Sequence, residues 1–126
     1  MSIYTFFILT LLKLSNFDYQ ITIKIIHVNE KIVLDSQIDD VTIKEACELW
    51  ELSNTQIENF FMNSTKTSSY EINSLSYFPC GINGELFKND TIFNFYINGA
   101  GWGKIEYRGE EQFYQCEKSN CEYIGM

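Results

Sequence analysis

Few residues in this chain have types and spacings that could do chemistry. His27 is the only histidine. A Ser-His-Asp or Cys-His triad would have to use it, yet no Ser or Cys stands in an elbow such as G-x-S-x-G. In its strand-like surroundings His27 reads as a satisfied structural side chain. Cysteines occur at Cys47, Cys80, Cys116 and Cys121. The tight C-x-x-C knuckles of a zinc site are absent, so no metal is expected. Cys116 and Cys121 enclose a short loop that a disulfide could close in an oxidising compartment, with Cys80 a competing partner for either. Cys47 falls on the apolar face of a predicted helix.

The remaining candidates are weaker. Glu110 and Glu111 are adjacent, so in a strand they point to opposite sides and are poorly placed for shared acid–base work. Asp35, Asp39 and Asp40 lack the ligand spacing and glycine of a calcium loop. Gly99, Gly101 and Gly103 superficially resemble a phosphate-binding run. They lie between β-patterned segments, however, rather than between strand and helix, which fits a hairpin needing positive φ or room for Trp102. Trp102, near Tyr96 and Tyr107, belongs either to an aromatic patch or to the core. No catalytic residue and no cofactor is expected. The alternative, an enzyme, needs His27, the cysteines and the carboxylates to converge in space.

These residues must be positioned by elements of alternating kind. Ile21–Val28 has the β-branched alternation of a strand, and Lys31–Leu34 follows closely enough to suggest a hairpin. Ile43, Ala46, Cys47, Leu49 and Trp50 then fall at helical spacing, behind a Thr42/Glu45 capping box, which predicts a helix over 42–52. Thr55 and Glu58 repeat the box ahead of Ile57, Phe60 and Phe61, predicting a second short helix or a kinked continuation. Asn63–Ser69 reads as a polar loop. From Tyr70 the period is two. Tyr70–Ile72, Gly81–Phe87, Thr91–Asn98, Trp102–Tyr107 and Gln112–Cys116 are separated by turn residues, including Lys88-Asn89-Asp90 and Arg108-Gly109-Glu110. In Thr91–Asn98, Phe93, Phe95 and Ile97 share one face, while Ile92, Asn94, Tyr96 and Asn98 share the partly wet one. The expected fold is a single α+β domain over 1–126. It has N-terminal strands, one or two short helices at about 42–62, and a C-terminal antiparallel meander of four to five strands at about 70–124 packed on the helices.

Charge and composition narrow the partners. Seventeen acidic residues against nine basic ones give a net charge of −8, which argues against nucleic acid, since phosphate binding needs a basic face. Asp35–Asn63 holds Asp35, Asp39, Asp40, Glu45, Glu48, Glu51 and Glu58 against Lys44 alone. Glu45, Glu48 and Glu51 lie three apart, so one helix would carry them as a stripe opposite its apolar face, with Trp50 buried or at its edge. Such stripes are commonly only solvated faces. Ile3–Leu12 is an apolar run too short for a membrane span of ~20 residues. It is either the core of an export signal or the first buried element of the domain. No basic residue precedes it and no small-x-small site follows, while Ser2, Thr5 and Thr10 suit the buried reading. Cytoplasmic and periplasmic locations both stay open. So does the oligomeric state, given exposed strand edges. Asn63-Ser64-Thr65 and Asn89-Asp90-Thr91 match a glycosylation sequon, which matters only in a eukaryotic secreted protein.

The segment Tyr77-Phe78-Pro79-Cys80-Gly81-Ile82-Asn83-Gly84, then Phe95–Gly101, Tyr114-Gln115-Cys116 and Cys121, resembles a PC-x-I-x-G, IN-A-G-G, Y-x-C order found in small bacterial proteins. Some of those are similar to immunity proteins that protect a bacterium from its own antibacterial toxins. Asn98-Gly99-Ala100-Gly101 departs from the family's Asn-Ala-Gly-Gly. The resemblance implies a non-catalytic protein that binds and neutralises a toxin. Independently of it, a small acidic domain suits the occlusion of a basic cleft, with Glu45, Glu48, Glu51 and Trp50 as the expected contact. The alternative is an exported, envelope-associated structural domain held by disulfides.

Overall fold

The chain builds its sheet around the segment Cys80–Lys88, which pairs with three other strands. A computed structural model describes residues 21–34, 41–69, 78–116 and 121–126. Its elements are β1 (Ile23–Val28), β2 (Ile32–Val33), α1 (Val41–Leu49), α2 (Asn54–Asn63), β3 (Thr65–Thr67), β4 (Cys80–Lys88), β5 (Thr91–Asn98), β6 (Trp102–Tyr107) and β7 (Glu110–Gln115). Every pairing is antiparallel, in the order β1-β4-β5-β6-β7-β3, with β2 also on β4. The fold is α+β with a C-terminal meander, β4 to β7. The expected opening strand at Tyr70–Ile72, the run Ile3–Leu12 and Asp35, Asp39 and Asp40 lie outside the described residues.

The meander follows from local turn chemistry. Asn89 and Asp90 have φ of 49° and 67°, and Arg108 and Gly109 have 51° and 82°. Positive φ at both central residues is the twist-matched form of a two-residue hairpin, which Asn, Asp and Gly tolerate best. Gly101, at φ 93°, supplies the third reversal, closed by its N–H donating to the Asn98 carbonyl at 2.9 Å.

The first strands depart from the expected hairpin. β1 pairs with Gly84–Lys88 and β2 with Cys80–Gly81, so both run the same way along β4 as one interrupted edge strand. Asn29-Glu30-Lys31 carries no glycine to reverse the chain. It instead steps past Asn83, whose carbonyl accepts from the Asn29 N–H at 2.9 Å. The polar stretch at 63–69 also departs from the expected loop, since Thr65–Thr67 pairs with β7.

One face of the sheet carries Ile82, Leu86, Phe95, Ile97, Ile105 and Tyr114, and α2 buries Ile57, Phe60 and Phe61 against it. The Phe61 ring meets Phe95 and Tyr114 edge-on, at centroid distances of 6.0 and 5.5 Å. Gly103 leaves room for Phe60, not for Trp102, because a Cβ there would come within 2.8 Å of the Phe60 ring. The capping box of α2 is Ser53 with Gln56, two positions ahead of the expected Thr55/Glu58 pair. Glu58 is thereby left to accept from the Ile25 N–H at 3.1 Å, which fastens α2 to β1 on the side away from β4 among the described residues.

Candidate functional site

α1 turns Ile43, Ala46, Cys47 and Trp50 inward, so Val41, Lys44, Glu45 and Glu48 fall on the outward face. Glu45 and Glu48 are exposed, as are Val41 (70%) and Leu49 (82%). The expected stripe is shorter than the sequence suggested. The helix ends at Leu49, so Glu51 belongs to the segment after it, although it too is exposed. Trp50 is buried (7%), and its indole N–H donates to the Ile124 carbonyl at 2.8 Å. It underlies the acidic flank as a strut.

The helix end is capped by Lys31. Its ammonium donates to the Glu48 carbonyl at 2.8 Å and to the Trp50 carbonyl at 2.5 Å. Those carbonyls belong to the last turn, which has no helical partner, and a cation there also suits the negative end of the helix dipole. The sequence carried no local sign of this, since Lys31 is ten residues upstream of Val41. Thr42 lies inside the helix, so the expected Thr42/Glu45 box is not its start.

The cysteines form Cys47–Cys80 and Cys116–Cys121, with Cα separations of 5.8 and 5.7 Å. The second pair is the expected one. The first assigns Cys80 to Cys47, which the sequence marks only as an apolar helix residue. That position on the inward face is what brings it over the start of β4. The bridge is buried against the Met126 thioether and fastens α1 to the sheet.

His27 and Glu85 lie 3.3 Å apart at the surface, both open to solvent, and no thiol is near them because all four cysteines are bridged. Among the described residues no group of His, Cys, Asp and Glu is arranged to hold a metal ion, and no helix is long and apolar enough to cross a membrane.

The face of the sheet opposite α2 holds a groove of about 360 Å³, lined by Ile32, Leu34, Cys80, Gly81, Tyr96, Trp102 and Lys104. Gly81 is its floor, since a Cβ there would overlap the Tyr96 ring. The Tyr96 hydroxyl accepts from Asn98 Nδ2 at 3.0 Å, and Tyr96 and Trp102 sit 5.7 Å apart, tilted by 55°. The candidate aromatic patch is thus Tyr96 with Trp102. Tyr107 lies on the other face against Phe93. Asn98 departs from the partly wet face expected for it and is fully buried. Its Oδ1 accepts from the Phe78 and Ala100 N–H groups at 3.0 Å each, and its Nδ2 also donates to the Phe78 carbonyl at 2.9 Å. Every polar atom of the amide is satisfied, which is the condition for burying it. No family model, no curated protein and no solved structure matches this chain.

Proposed function

We propose that this chain is a non-catalytic protein-binding domain that neutralises a basic protein, in the manner of a toxin immunity protein. The observation behind the reading is the outward surface of α1, where exposed Glu45 and Glu48, with Glu51 just beyond, lie beside the strongly exposed Val41 and Leu49. Apolar groups edged by like charge suit a partner with a basic, partly apolar cleft, because the field accelerates encounter and the apolar contacts hold the complex. Cys47–Cys80, Lys31 and the buried Trp50 hold α1 in place, so little ordering entropy is lost on docking.

The test is an affinity pull-down from the source cells at low and high salt, with the triple variant Glu45→Lys, Glu48→Lys, Glu51→Lys in parallel. The reading expects one basic protein at low salt, suppression of its toxic activity by the wild type, and loss of both in the variant. Nothing specific at low salt, or undiminished capture by the variant, counts against it.

A second reading, an exported envelope-associated domain of structural role, has the two disulfides in its favour, because such bridges persist in oxidising compartments. An exported immunity protein would carry them too. The N-terminus and cysteine oxidation state of protein isolated from the source cells decide the compartment, and the pull-down then decides the role.

A further inference from the structure

We propose that the groove between β2 and β6, on the face of the sheet opposite α2, is a second and separate site, one that binds a small flat apolar molecule bearing a carboxylate. Its volume of about 360 Å³ lies at the lower end of the range found for small-molecule pockets, ~300–1,000 Å³.

The walls set the shape of the ligand. Ile32 and Leu34 form one side, and the Tyr96–Trp102 pair forms the other. The Tyr96 ring is held before any ligand arrives, by the glycine beneath it and by the hydrogen bond from Asn98 to its hydroxyl. Rigid aromatic walls favour a planar body and cost little entropy to order.

The charge at the mouth sets the polar end. Among the described residues, Lys104 is the one charged side chain lining the groove. Its ammonium touches Glu111 at 2.6 Å, and Glu111 is itself no part of the lining. An ammonium has three donors and one carboxylate uses only part of them, so a second carboxylate can share it from the groove side. A cationic ligand would instead meet Lys104 head-on. Lys104 stands directly across from Tyr96 in the β5–β6 register, so the carboxylate and the ring contact fall within one small molecule.

The site is tested on the oxidised full-length chain, isotope-labelled for NMR and titrated to millimolar concentration with 2-naphthoate and, separately, with its neutral analogue 2-naphthalenemethanol. The expected result is a saturable shift confined to the amides of Ile32, Gly81, Trp102 and Lys104 and to the Trp102 indole. Naphthoate should bind about five-fold tighter than the alcohol, as a half-exposed ion pair allows, and Lys104→Gln should abolish that preference while the alcohol binds as before. Trp102→Leu keeps an apolar wall but should weaken both by about ten-fold through loss of the ring contact. Absence of saturable shifts at these amides in the wild type overturns the proposal without recourse to any variant. So does equal or tighter binding of the alcohol, or a preference for naphthoate that survives Lys104→Gln. None of these outcomes bears on the α1 surface, which the pull-down tests independently.

Discussion

The two disulfides close loops of very different length, with sequence separations of 33 and 5. Restriction of the unfolded chain makes Cys47–Cys80 worth about 3.7 kcal/mol and Cys116–Cys121 about 2.1 kcal/mol at 25 °C, the logarithm compressing a ratio of lengths of about 6.6. Packing widens the gap. Cys47 (0% exposed) and Cys80 (2%) lie against Met126, so removing their sulfurs also forfeits core contacts, whereas Cys116 and Cys121 are only half-buried. Urea unfolding of the oxidised chain is compared with the Cys47→Ala/Cys80→Ala and Cys116→Ala/Cys121→Ala double variants. The expected losses are about 4 kcal/mol or more for the first and about 2 kcal/mol for the second. On a domain whose whole stability is ~5–15 kcal/mol, the first loss is large. Exposure gives an independent readout. Limiting phosphine at neutral pH, followed by alkylation and peptide mass spectrometry, should label Cys116 and Cys121 well before Cys47 and Cys80. A larger stability loss from the terminal pair, or earlier labelling of the buried one, would refute the reasoning.

Lys31→Met keeps the aliphatic stem but leaves the Glu48 and Trp50 carbonyls uncapped. It should cost about 1–2 kcal/mol and speed amide exchange in α1 while leaving α2 unchanged. Asn98→Ala strands the Phe78 and Ala100 N–H groups and the Phe78 carbonyl in the interior, and should cost about 3 kcal/mol by urea midpoint with an altered near-ultraviolet signal from Tyr96 and Trp102. Ser53→Ala removes half of the α2 capping box and should cost about 1 kcal/mol, whereas Thr55→Ala, inside the helix, should be close to neutral on the same assay.

The parts of this fold that were legible in the sequence are those specified by neighbours. Thr91–Asn98 and Trp102–Tyr107 were readable to the residue because alternation and turn chemistry act over a few positions, and the Cys116–Cys121 pair because its loop is short. What escaped depends on residues far apart in sequence. β1 and β2 look like partners because they are adjacent, but β1 pairs along Gly84–Lys88 of β4 and β2 continues the same edge on Cys80–Gly81. Glu58, read as a capping residue, serves the edge of β1 instead because Ser53 and Gln56 already satisfy the helix start.

The candidate site shows the same division more sharply. Glu45 and Glu48 could be placed on an exposed flank from their spacing alone, but what fixes that flank could not. Lys31 reaches α1 from ten positions before its first residue, Cys80 bridges to it from 33 positions away, and Ile124 meets Trp50 from 74 positions away. Each of these contacts stops α1 from moving as a loosely tethered helix. On the proposed binding reading the consequence is thermodynamic, because a flank held from three directions presents its carboxylates in one arrangement, and an arrangement fixed before encounter would give a basic partner both attraction at a distance and a defined surface on arrival. Loosening any one attachment should therefore weaken partner binding even though no carboxylate is touched, and Lys31→Met, which leaves Glu45, Glu48 and Glu51 in place and removes a positive charge beside them, separates the two effects. If net charge alone governed the interaction, this variant would bind a basic partner more tightly than the wild type; if the held geometry governs, it binds more weakly.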